Sequence, residues 1–283
     1  MKQFPSISRL GDAPPELLAG GHLWIQEKID GANVRFGVRD SGLLVFGDRS
    51  GVYEGEVPEP YRHVARHVRE NFDVDALRIA AEESDAIEDV ADVVFFGEAT
   101  HRHTIEYDFD RLPSFLGFDV WSASSETFLP PDAVERVFET FGLTPVNTFA
   151  REVRATDFDP ASYEVPESAW RNGPAEGVVL RTKTGSRAKL LHPNYEEVDE
   201  TVPMDGDPAT LARRYVTDHR VDKTIAKLED RGYATDFERV YEAVLADVYR
   251  EEHKRLFHGG RAVDKRAFRS AVAAEVRRRL DGA

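Results

Sequence analysis

The chain has 283 residues, enough for one large domain and a smaller one, and its 41% hydrophobic content is sufficient to bury a core. It contains no cysteine, which excludes disulfides, thiolate metal sites and cysteine nucleophiles, and it lacks the roughly 18 to 20 continuous apolar residues that a membrane span needs. A formal net charge of −15 excludes a surface that is basic all over, the usual source of affinity for phosphate backbones.

Short runs rich in β-branched and aromatic residues predict strands at His22–Ile29, Val34–Val38 and Leu43–Phe46. A helix is expected over Glu59–Phe72, where Tyr61, Val64, Ala65, Val68 and Phe72 fall on one stripe. Strands follow at Val93–Gly97 and Phe115–Trp121. A second helix, Pro131–Phe141, is striped by Val134, Val137, Phe138 and Phe141 and stops at Gly142. Gly177–Arg181 and Ala188–Leu191 complete the strands. After about residue 200 the apolar period changes from two to 3.6, predicting helices at Pro208–Val216, Val221–Asp230, Thr235–Phe257 and Val263–Leu280. Thr201–Asp207, with Pro203 and Gly206, is the expected linker. The fold class is α+β: antiparallel sheets with flanking helices over residues 1–200, then a small all-helical domain over residues 201–283.

The charge is unevenly distributed. Only 8 of the 37 basic residues are lysine, an acid-rich, lysine-poor balance that suits solubility in concentrated salt. From Arg250 to Arg279 ten basic residues stand against four acidic ones, so this end is where nucleic acid is expected. The run Arg277-Arg278-Arg279 reads equally as a phosphate grip and as a helix end favoured by the dipole. His101-Arg102-His103 reads as a solvated turn in preference to a contact with the nucleic-acid end. The opening MKQFPSISRL lacks a basic-then-apolar signal layout, and a cytoplasmic location with no membrane partner is expected.

The chemistry centres on Glu27-Lys28-Ile29-Asp30-Gly31-Ala32-Asn33, a lysine at the end of a strand followed at once by Asp-Gly. A lysine ammonium is a poor nucleophile at its free pKa near 10.4, so a reactive one must be desolvated or set beside other cations. Alone, the fragment reads equally well as a surface hairpin.

Further segments follow in order: Gly47-Asp48-Arg49-Ser50-Gly51, Val93-Val94-Phe95-Phe96-Gly97-Glu98, Phe115-Leu116-Gly117-Phe118-Asp119-Val120, Glu176-Gly177-Val178-Val179-Leu180 and Arg187-Ala188-Lys189-Leu190. Together they resemble motifs I to V of the covalent nucleotidyltransferases, the superfamily of DNA ligases, RNA ligases and messenger-RNA capping enzymes. Asn33, five residues after Lys28, and the preceding acid Glu27 resemble the RNA ligase 2-like family of phage and RNA-editing ligases. The resemblance spans roughly residues 22 to 192. The family usually carries lysine where Arg187 stands, and Lys183 is the other candidate for that place.

The resemblance implies an ATP-grasp-like adenylyltransferase domain and an ATP-dependent RNA ligase. Lys28 would attack the α-phosphate of ATP, and Lys189 and Arg187 would neutralise the charge that spreads in the transition state. Glu27 would face the adenine amino group, and Asn33 belongs to the same nucleotide site. Arg49 would hold phosphate or a 3′-terminal ribose. Glu98 would take the nucleotide ribose, Phe118 would stack on the purine, and Glu176 would hold Mg²⁺, for which Mn²⁺ could substitute. The expected partner is RNA with 5′-phosphate and 3′-hydroxyl ends. The alternatives are an ATP-dependent DNA ligase, which usually appends a five-stranded OB-fold, and a binding module that has lost catalysis.

Overall fold

The computed structural model describes residues 1–83, 89–195, 207–253, 256 and 263–281. It divides into two compact units, residues 1–100 with 104–198, and residues 101–103 with 199–283.

The first unit holds the strands β1 (His22–Lys28), β2 (Ala32–Val38), β3 (Leu44–Asp48), β4 (Val93–Ala99), β5 (Phe115–Ser122), β6 (Thr127–Phe128), β7 (Thr148–Arg154), β8 (Gly177–Thr182) and β9 (Arg187–Leu191). They form two antiparallel sheets, one of four strands in the order β7-β1-β8-β9 and one of five in the order β3-β2-β4-β5-β6. Its helices are α1 (Glu16–Ala19), α2 (Arg62–Asn71), α3 (Val74–Glu83) and α4 (Pro131–Thr140).

Strand alternation decides which residues enter the core. Val34, Phe36 and Val38 of β2 join Phe95 of β4 and Phe115 and Val120 of β5 in one cluster, closed by Val64 and Val68 of α2, Leu77 of α3 and Val134 and Phe138 of α4. Burying each such side chain contributes about 1.5–3 kcal/mol. The opposite face of β2 and β4 carries Asn33 and Glu98, which are direct cross-strand partners. A separate cluster around Leu23, Ile25, Val178, Leu180 and Ala188 supports the four-stranded sheet.

Two elements have little sequence signal. β7 reads Thr-Phe-Ala-Arg-Glu-Val-Arg and lies at a sheet edge, so its charged residues remain in solvent and blur the alternation. α3 buries only Leu77 completely and starts where Asp73 accepts the Ala76 amide at 2.8 Å. The helix expected over Glu59–Phe72 begins instead as a 3₁₀ turn, Glu59–Tyr61, and becomes regular only from Arg62 to Asn71.

The second unit is helical: α5 (Pro208–Tyr215), α6 (Asp218–Asp230), α7 (Phe237–Glu251) and α8 (Lys265–Asp281). Asp207, Thr217 and Asp236 cap α5, α6 and α7 by accepting first-turn amides. The cap at Asp236 starts α7 two residues later than the apolar period suggests, and the expected end at residue 257 lies outside the described residues. So does the expected linker, except for Asp207. Val240, Val244 and Val248 recur at four-residue spacing on α7, as Phe268, Val272 and Val276 do on α8, and these stripes form the unit's core. His101 is not a solvated turn residue: it is 1% exposed and its ring stacks on His253 at 3.6 Å. Among the described residues no helix is long and apolar enough to cross a membrane.

Candidate active site

Lys28 closes β1, and its cross-strand partner on β8 is Gly177. Both neighbouring glycines are required by close approach. A Cβ on Gly31 would lie 2.3 Å from the Ala99 carbonyl oxygen, and one on Gly177 would lie 2.3 Å from that of Leu190. Asp30 turns inward, its Oδ2 accepting the amides of Thr104 at 2.6 Å and Ile105 at 2.7 Å, while its own amide donates to the Tyr107 hydroxyl at 2.8 Å. The Asp-Gly pair is therefore a buried anchor for the chain after β4, unlike the surface hairpin that the fragment alone allows.

The Lys28 ammonium donates to both carboxylate oxygens of Glu176 at 2.7 Å, with the two side chains 25% and 15% exposed. Burial would lower the Lys28 pKa, but Glu176, Glu98 and Asp30 outweigh it and hold the value above the ordinary lysine range. Glu98 is the converse. Burial raises its carboxyl to about 8, with Lys28 opposing and Glu176 and Asp30 reinforcing the rise. Burial also leads in lowering Lys189, aided by the positive charges of Lys28, Arg9 and Arg49 against Glu176.

Lys28, Glu98 and Lys189 border a cavity of about 570 Å³ that is also lined by Glu27, Asn33, Arg49, Phe118 and Arg187. Glu27 is buried and accepts from Asn147 Nδ2 at 3.1 Å, the Ala169 amide at 3.2 Å and the Ser168 hydroxyl. A carboxylate offers about four lone-pair sites, so one remains for a ligand donor. Asn33 Oδ1 is buried with no donor. Arg49 is exposed on a turn tied by Asp48, whose Oδ1 accepts the amides of Ser50 at 2.7 Å and Gly51 at 3.0 Å. Phe118 sits at a β-bulge, since Phe96 pairs with Asp119 while Gly97 pairs with Gly117. The extra residue brings Phe118 and Asp119, consecutive in the chain, to the same cavity.

Arg187 borders the cavity with its guanidinium engaged. It donates to Asp119 Oδ2 and to the Gly185 carbonyl at 2.7 Å, and lies 4.6 Å over the Phe128 ring. Arg181 donates to the other Asp119 oxygen at 2.8 Å, joining β8 and β9 of one sheet to β5 of the other through a buried ion cluster. Lys183 lies outside the cavity lining, where it pairs with Glu152 at 2.6 Å with nearly half its side chain exposed. Lys189, on β9, is therefore the cavity's second lysine. Sequence reading overlooked Asp119, Arg181, Tyr107, Asn147 and Ser168; only Asp119 stands within a recognised motif.

A family model for RNA ligase matches residues 21–191. The chain belongs to the RNA ligase family. The matched span covers β1 to β9 and with them the lysine-lined cavity. Among solved structures, a mutant of the Naegleria gruberi RNA ligase with ATP and Mn is similar at 16% identity and a TM-score of 0.53, over 69% of this chain and 57% of that one. Another mutant of that ligase, with AMP and Mn, has 16% identity and a TM-score of 0.51 over the same shares. An archaeal ATP-dependent RNA ligase is 17% identical over 99% of this chain and 66% of that one, with a TM-score of 0.49. These are likenesses of fold, and the chain spans 57% of the length of the Naegleria ligase. Among curated proteins no sequence matches.

The donor set suits a hard divalent cation. Glu98 and Glu176 offer oxygen donors, and burial is the main cause that raises both carboxyls, with Glu176 and Asp30 adding to the rise at Glu98 and Asp30 to that at Glu176. Oxygen donors of this kind hold Mg²⁺ through one or two carboxylates together with substrate phosphates.

Proposed function

We propose that the chain is an ATP-dependent RNA ligase that joins 5′-phosphate and 3′-hydroxyl RNA ends through AMP carried on Lys28. The observation that carries this reading is a lysine ion-paired to Glu176 beside a cavity that also holds Glu27, Asn33, Glu98, Phe118 and Lys189. The bound nucleotide of the similar Naegleria ligase supports ATP as the donor.

In the resting arrangement Lys28 is an ammonium and cannot attack. Its Nζ must pass a proton to a base, for which the Glu176 carboxylate at 2.7 Å is placed, before it forms a bond to the α-phosphorus, as the bond to the bridging oxygen breaks and pyrophosphate departs. A divalent cation, Mg²⁺ or Mn²⁺, supplies positive charge to the phosphates and carboxylates when bound. Lys189 offers a cation to the α-phosphate; burial first and the neighbouring positive charges second lower its pKa, and a negative substrate would offset the charge crowding. Arg187 acts through Asp119, holding β9 against β5. Glu27 accepts from the adenine amino group, Asn33 Oδ1 awaits a donor, Glu98 meets the ribose, Phe118 stacks on the purine, and Arg49 is free to take phosphate or the 3′ end. AMP then passes to the 5′-phosphate, and attack by the 3′-hydroxyl on that phosphorus expels AMP and leaves the phosphodiester.

The proposal includes RNA repair in the cytoplasm, where ATP is at hand, with residues 201–283 as a domain that positions RNA. The described residues after β9 fold as the helices α5 to α8, at the place where a DNA ligase usually appends a five-stranded OB-fold.

Incubation with α-labelled ATP and a divalent cation should leave a labelled band on a denaturing gel, absent with GTP and absent in Lys28→Ala. A folded wild type that is free of AMP and forms no adduct would refute the reading. The acid-rich surface further predicts ligation in molar salt, where a basic nucleic-acid enzyme loses its substrate; inactivity above ordinary ionic strength would count against it.

A further inference from the structure

The segment from Phe4 to Ile7 borders the cavity. The Ser8 carbonyl accepts the Lys189 amide at 2.9 Å, and Arg9 forms a parallel bridge with Lys189, so this segment is fastened to the strand that carries the second lysine. Phe4, Pro5 and Ile7 line the cavity. Phe4 contacts three rings: Phe96 at 5.2 Å, Phe118 at 4.9 Å with planes 67° apart, and Phe128 at 5.6 Å. Lys2 stands 4.0 Å over the Trp121 ring, and Arg187 stands 5.5 Å over Phe4 itself. The segment is thus pinned to both sheets, with an aromatic side chain against the ring assigned to the purine.

We propose that Phe4 is a positioning residue for nucleotide binding, holding the Phe118 ring in the orientation that presents its face to the purine. Phe118 is the extra residue of the β5 bulge and has no ladder partner on β4. Its ring is therefore oriented by its neighbours more than by strand register, and Phe4 is the aromatic neighbour that also borders the cavity. The inference rests on Lys28 as the AMP acceptor and Phe118 as the purine platform. It adds a residue from outside the motif-bearing span of residues 21–191.

The test is single-turnover adduct formation on the full chain with labelled ATP, comparing wild type with Phe4→Ala, Phe4→Leu and Phe4→Tyr. An aromatic pair of this kind is worth roughly a 2- to 12-fold change in an equilibrium constant. Phe4→Ala should raise the ATP concentration for half-maximal rate by about 3- to 10-fold and leave the maximal rate within about 2-fold. Phe4→Tyr should restore the wild-type value, and Phe4→Leu should fall between. If Phe4→Ala does not fold by thermal melt, Phe4→Leu against Phe4→Tyr decides the matter. An unchanged half-maximal concentration overturns the proposal. A lowered one does so too, because it makes Phe4 a plug in the purine site. A wild type that forms no adduct sinks the ligase reading instead.

Discussion

The two faces of the five-stranded sheet are built by the same strands and treat polar atoms in opposite ways. Toward α2, α3 and α4 the sheet presents Val34, Phe36, Phe95 and Phe115, all at most 1% exposed and packed ring against ring, with Phe36 and Phe95 stacked at 4.9 Å. The other face presents Asn33, with an orphan Oδ1; Arg35, buried with Nε and Nη1 unpartnered; and Glu98, raised to about 8. Such groups cost free energy when buried without partners. One face stabilises the fold, while the other holds polar atoms in the arrangement a charged ligand would satisfy.

The widest separation of the two faces should come from Phe95→Ala. Removing a fully buried ring should cost about 3–5 kcal/mol in denaturant unfolding, and a loss under about 1 kcal/mol would show that the helix-covered face is not the main source of stability.

Glu98→Gln should expose the strain of the site face through pH. An acid whose folded pKa lies above its unfolded value stabilises the fold while protonated, and that contribution is lost as pH rises from the ordinary carboxylate range toward about 8. Glutamine keeps the shape and cannot ionise, so the variant's Tm relative to wild type should climb between about pH 5 and 8 and level off above. Each kcal/mol regained corresponds to roughly 2–4 °C. A Tm difference independent of pH would place Glu98 in an ordinary solvated setting.

Asn33→Ala is expected to change stability least, within about 1 kcal/mol, because the acceptor it deletes has no donor to lose. Adduct formation should nonetheless fall by about 10-fold or more, the loss expected when a ligand hydrogen bond is removed from a desolvated site. A variant that is destabilised but fully active would reverse the assignment of the two faces.

Much of the site was legible before any coordinates. Local chemistry in the sequence marks Lys28 after a strand and before Asp-Gly and the apolar stripes of the helical unit, because each depends on neighbours within a few positions, whereas Glu98, Glu176 and Lys189 stand out through motifs that resemble those of the nucleotidyltransferases. The fold class and the order of most strands follow from the same short-range periodicities. Three things were decided only by tertiary structure. The bulge at Phe118 depends on register across two strands, and the Arg181–Asp119–Arg187 cluster joins residues more than sixty positions apart in two sheets. The protonation of Lys28 and Glu98 depends on Glu176 and Asp30, which converge from separate segments into one desolvated space. Sequence periodicity records which side of an element is apolar; it carries no record of which charges meet once water has been removed between them.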